Sequence, residues 1–92
     1  MAAIKISHTH TLPERETRAV LDELVKKLQS EYQITSVWHG SHIEFHRSGA
    51  SGTLTLRPHH IDIEIKLGMM LAMFERKIRS AIMAFCEDKL PT

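Results

Sequence analysis

The stretch FHRSGASGTLTL, Phe45 to Leu56, sets two glycines three residues apart between two alternating runs. A phosphate-cradling loop presents its N–H groups at a helix N-terminus directly after a strand. Here the glycines lead into TLTL, which has the period of a strand. The spacing also fits neither the Walker pattern nor the dinucleotide fingerprint. Gly49 and Gly52 therefore read as a hairpin bend and its flanking bulge, where glycine takes positive φ at low cost.

That hairpin orders the residues on either side of it. Upstream, ITSVWH and HIEFHR are separated by Gly40-Ser41, a two-residue turn of the glycine-first kind. Pairing across it sets Trp38 opposite Ile43 and Ser36 opposite Phe45. A central turn over Ser48 to Ser51 sets Phe45 opposite Leu54 and Ile43 opposite Leu56. Downstream, Pro58-His59 closes a third hairpin, with Leu56 opposite Ile61 and Leu54 opposite Ile63. This register collects Trp38, Ile43, Phe45, Leu54, Leu56, Ile61, Ile63 and Ile65 on one face, and a one-residue slip would scatter them.

The flanks complete the fold. Residues 3–8, AIKISH, alternate like a half-buried strand. Thr11 and Glu14 have capping-box spacing, with Pro13 tolerated in a first turn. Leu21, Leu24, Val25 and Leu28 then form an apolar stripe, which predicts a helix over about 12–31. After Gly68, the residues Met70, Leu71, Phe74, Ile78, Ala81, Ile82 and Phe85 share one helical face. The expectation is one domain, 1–92, of class α+β. Its order is β-α-β-β-β-β-α, an antiparallel meander with both helices on the apolar face.

Composition limits the function. At 92 residues the chain has little room for a deep, closed active site. Twelve basic and eleven acidic side chains nearly cancel, which argues against a nucleic-acid partner. Protonating all seven histidines would raise the formal charge from +1 to +8, so surface charge responds to mild acid. Cys86 is the single cysteine, which favours a reducing compartment. With no signal-peptide pattern and no apolar run near ~18 residues, a cytoplasmic location without a membrane span is expected. No cofactor motif is present, so no cofactor is implied.

Three groups of residues could carry a function. His39, His42 and His60 lie on the polar sheet face, where Glu44 could add an oxygen to a zinc, copper or nickel site. Arg57 falls in the same row and repels a cation. The carboxylates form rows Glu44–Thr55–Asp62 and His46–Thr53–Glu64, which could do acid–base work only if something desolvated them. The third group is LGMMLAMF, Leu67 to Phe74, with more apolar side chains than one core face can absorb. Met69, Met70, Met73 and Phe74 could form an adaptable lip for an apolar ligand, a granule surface or a second subunit.

The combination of FHRSGASGTLTL, IDIEI and LGMMLAMFERKI resembles the polyhydroxyalkanoic acid system family, small bacterial proteins associated with polyhydroxyalkanoate granules. The resemblance is carried by Phe45, Arg47, Gly49, Ser51 and Gly52, then Leu67, Gly68, Leu71 and Phe74. It implies a cytoplasmic, non-enzymatic accessory protein whose partner is the granule surface or an apolar ligand, with no catalytic residues to carry over. Relatives often have aromatic or aliphatic residues where this chain has Met69 and Met70. The element order also looks like a pared-down helix-grip fold. The rival readings are a histidine-based metal-binding or small enzymatic module and an RNA-binding α+β domain. Glu44, Asp62 and Glu64 would confront phosphates in the latter. An open meander edge leaves room for a homo-oligomer.

Overall fold

A computed structural model of the chain describes residues 2–91. The elements are β1 (Ala2–Thr9), α1 (Glu14–Tyr32), β2 (Thr35–His39), β3 (His42–Arg47), β4 (Ala50–Arg57), β5 (His60–Leu67), a 3-10 turn (Ala72–Phe74) and α2 (Glu75–Lys89). This is the expected β-α-β-β-β-β-α order in an α+β architecture. The strands form one antiparallel sheet in the order β1-β5-β4-β3-β2. The meander supplies four strands, and β1 adds to its far side by pairing Ile4 with Ile65 and Ile6 with Ile63.

This placement explains the length of α1. The chain leaves β1 at one edge of the sheet and must re-enter at β2 on the other edge. Four strand spacings of ~4.8 Å separate the two, about 19 Å. The 19 residues of α1 span about 28 Å at 1.5 Å per residue, enough for a diagonal crossing. α1 lies over β2, and α2 lies over β1 and beside α1. Between helices and sheet sit Ile4, Ile43, Leu54, Ile61 and Ile65 from the strands, Leu21, Leu24 and Leu28 from α1, and Ile78, Ile82 and Cys86 from α2.

The outer hairpins pair as expected, with Trp38 opposite Ile43 and Leu54 opposite Ile63. The central one does not. Its turn is Ser48-Gly49 alone, and Phe45 faces Gly52 while Ile43 faces Leu54. The shift from the expected register is two residues, so each side chain keeps its face. Gly49 has φ 87°, the positive value at the second central position that a type II turn requires. His59 takes the same role after Pro58, with φ 57°. No bulge occurs at Gly52, because its partners on β3 and β5 run in unbroken register.

The start of α1 also departs from expectation. Leu12 precedes proline, which disfavours helical backbone, and the helix begins at Glu14. Thr11 forms no capping box, since its hydroxyl and its N–H both donate to the Pro91 carbonyl at 3.2 and 2.9 Å. The helix cap carries no side-chain hydrogen bond. At the other end Gln33 takes the left-handed conformation in place of a glycine, and its N–H bonds the Gln29 carbonyl. Arg47 follows Ile43 and Phe45 on the inner face of β3, and its guanidinium donates to the Tyr32 carbonyl at 2.6 Å. It supplies at the helix C-terminus the cation that the last turn of α1 lacks.

Candidate functional site

The Leu67–Phe74 segment is built on the Ser48-Gly49 turn. Leu67 is buried at the end of β5, and the next residue, Gly68, donates its N–H to the Gly49 carbonyl at 2.7 Å. A Cβ on Gly68 would lie 3.3 Å from that oxygen, so the approach suits glycine. The chain then turns tightly, with Leu71 N–H donating to Gly68 O at 3.1 Å and Phe74 N–H to Leu71 O at 2.9 Å. Leu71 is the one buried side chain of the turn, and it packs against Gly49.

Around that anchor the neighbours face water. Met69, Met70 and Met73 are 87, 86 and 80% exposed, and Phe74 is 39% exposed. Met70 was expected on the buried stripe of the last helix. That helix starts only at Glu75, after a 3-10 turn, and the tighter winding of the turn takes Met70 off the stripe. Ala81 and Phe85 on the same stripe are half-buried. The other exposed large apolar side chains among the described residues, Val37 and Met83, lie on β2 and α2. The four lip residues are therefore grouped by the local fold.

The polar face of the sheet holds a hydrogen-bond network centred on Asp62. Ser7 Oγ donates to Asp62 Oδ1 at 2.7 Å, Arg57 Nε donates to Oδ2 at 3.0 Å, and His60 Nε2 lies 2.9 Å from Oδ1. These hydrogen bonds, led by Ser7, hold the Asp62 carboxyl down at about 2. An acid so stabilised in its charged form is a poor proton acceptor at neutral pH. Ser7 also bonds the carboxylate and not the imidazole, an arrangement without the nucleophile-to-base hydrogen bond of covalent catalysis. The cross-strand rows are His42–Thr55–Asp62 and Glu44–Thr53–Glu64, displaced from the expected ones by the two-residue shift.

The histidines separate. His39 and His42 stack with ring centroids 5.5 Å apart, and His39 Nε2 lies 3.0 Å from Glu44 Oε2. His60 belongs to the Asp62 network on β5, with β4 between. Arg57 pairs with His60 across β4–β5 and is not in register with His42, which faces Thr55. Among the described residues no group of three His, Cys, Asp or Glu side chains is arranged to hold a metal ion.

Sequence reasoning missed His10. It follows the inward positions Ile4, Ile6 and His8 of β1 and is only 4% exposed. Its Nδ1 accepts from Leu12 N–H at 3.2 Å, while Nε2 has no partner among the described residues. Burial, then the neighbouring His59, His8 and His60, lowers its pKa. The parity of β1 is the available signal, since His8 and His10 lie two apart on a strand, but that spacing arises freely in a chain with seven histidines. His8 itself places Nε2 2.7 Å from the Leu90 carbonyl, fastening the chain beyond α2 to β1.

No helix among the described residues is long and apolar enough to cross a membrane. No curated protein and no solved structure matches the chain. A family model for polyhydroxyalkanoic acid system proteins matches residues 4–90, which include the central hairpin, the Gly49–Gly68 contact and the methionine lip. The chain belongs to the polyhydroxyalkanoic acid system protein family.

Proposed function

We propose that the protein is a non-catalytic accessory component of polyhydroxyalkanoate granules that docks on their apolar surface through Met69, Met70, Met73 and Phe74. The observation that carries this reading is the grouping of three methionines, each at least 80% exposed, around one buried leucine. Exposed apolar groups of this density mark contact surfaces. Methionine is unbranched and polarizable, so it conforms to a surface without fixed shape. The lip rests on a rigid base, because Gly68 and Leu71 are both seated on Gly49.

Co-sedimentation of the purified protein with isolated granules tests the reading. Each lip methionine withdrawn from water contributes about 1.5–3 kcal/mol, so Met69→Glu and Met73→Glu should each weaken the apparent granule affinity about tenfold or more. Both sites are exposed, and the variants should keep the parent circular dichroism spectrum. Unchanged sedimentation of folded variants would remove the lip from the mechanism.

A further inference from the structure

Beside the lip, a cleft of about 210 Å³ opens between the C-terminal end of α1 and the start of α2. Its apolar walls are Tyr32, Ile34, Leu71, Phe74 and Ile78, and two cationic side chains, Arg47 and Lys77, also line it. Leu71, Ile34 and Ile78 are buried and form a fixed floor, while Phe74 is the partly exposed wall toward the lip. Arg47 spends one N–H on the Tyr32 carbonyl; a guanidinium has five. Lys77 forms no ion pair among the described residues. Glu31 is the single acid of the lining, so the cleft keeps a net positive charge.

We infer that this cleft is a binding site for a medium-chain aliphatic carboxylate, its chain on Ile34, Leu71 and Phe74 and its head group between Arg47 and Lys77. The volume corresponds to about seven groups the size of a water molecule at ~30 Å³ each, which suits a chain of roughly six to eight carbons. The two cations select a carboxylate over an alcohol of the same length, and they reject an amine. The site goes beyond the docking reading, because Met69, Met70 and Met73 do not line it.

The test is titration of the full-length protein with octanoate below its micellar concentration, followed by NMR of the Tyr32 and Phe74 rings. Octanoate should shift both rings saturably, 1-octanol should bind at least fivefold more weakly, and octylamine should not bind. Lys77→Gln should weaken octanoate about tenfold, the loss of one charged hydrogen bond, and leave octanol unchanged. The inference is overturned if neither ring shows a saturable shift, or if Lys77→Gln leaves octanoate affinity unaltered. Met69→Glu separates the two proposals, since it should weaken granule docking about tenfold or more and retain octanoate binding.

Discussion

Gly40 and Gly52 show how differently one residue type can be required. Gly40 has φ 62°, and a Cβ there would meet nothing within 4 Å. Open space does not remove the backbone strain of a side chain at that φ, so Gly40→Asn should cost about 1 kcal/mol, the low end of the left-handed penalty. Gly52 sits in β4 opposite Phe45 on one side and Ile65 on the other. A Cβ there would collide with the Glu64 carbonyl and lie 2.8 Å from Ile65 Cα. Both obstacles are backbone and cannot rotate away. Gly52→Ala should therefore destabilise the protein by about 2–3 kcal/mol, at the upper end of overpacking costs. Urea denaturation of the two variants reads the contrast directly, and near-equal midpoints would refute it. The sequence showed that a hairpin turned near Gly52. It could not show the close approach, because the expected register put Leu54 opposite Phe45, where the structure has Gly52.

At the scale of elements, the faces of strands were legible and the winding of short turns was not. Side chains alternate with a period of two, so a two-residue error in the β3–β4 register still sorted Ile43, Phe45, Leu54 and Leu56 inward. The C-terminal helix allowed no such forgiveness. Three- and four-residue spacing ran back from Ile78 through Phe74 to Met70, yet the chain there is a turn pinned by Gly68, and the stripe stops at Leu71. Nothing in the periodicity distinguishes the two, since the deciding contact is with Gly49, far away in sequence. Where α2 is regular, it buries Ile78, Ile82 and Cys86. Burial, then the nearby Glu87, pushes the Cys86 thiol up to about 11. Because the thiolate is the reactive form, Cys86 should resist Ellman's reagent at pH 8 while α2 is docked. Ile82→Ala opens a cavity at a cost of about 2–5 kcal/mol and should speed labelling in proportion to local opening of α2. Rapid labelling of the parent protein would contradict the burial of that face.

For the molecule as a whole, the segment after α2 meets the β1–α1 connection at one corner of the sheet, and this couples stability to pH. Thr11 holds the Pro91 carbonyl, His8 holds the Leu90 carbonyl, and His10 is buried between them and the β4–β5 turn. His10 packs edge-on against His59 with ring centroids 6.1 Å apart, and His8 and His60 add charge of the same sign when protonated. Its lowered pKa means that the unfolded chain takes up the proton first as pH falls. The sign follows from linkage: stability is full above about 6.5 and declines below it, toward the depressed folded value, by at most ~1.4 kcal/mol per pH unit. Asp62, lowered from 3.8 to about 2, adds a second decline below pH 4, weakened by its partial exposure to solvent. On the alkaline side Cys86 is raised from 9.0 to about 11, so stability falls as pH climbs from 9 to 11. Tyr32, raised by burial and then by Glu31, extends that loss above pH 10. Melting temperature should therefore peak between about pH 7 and 9. Replacing His10 with asparagine keeps an acceptor for Leu12 N–H and removes the buried imidazole. His10→Asn should flatten the slope between pH 6.5 and 5 and leave the alkaline decline intact. An unchanged acid slope in that variant would transfer the effect from this corner to the exposed histidines of the sheet.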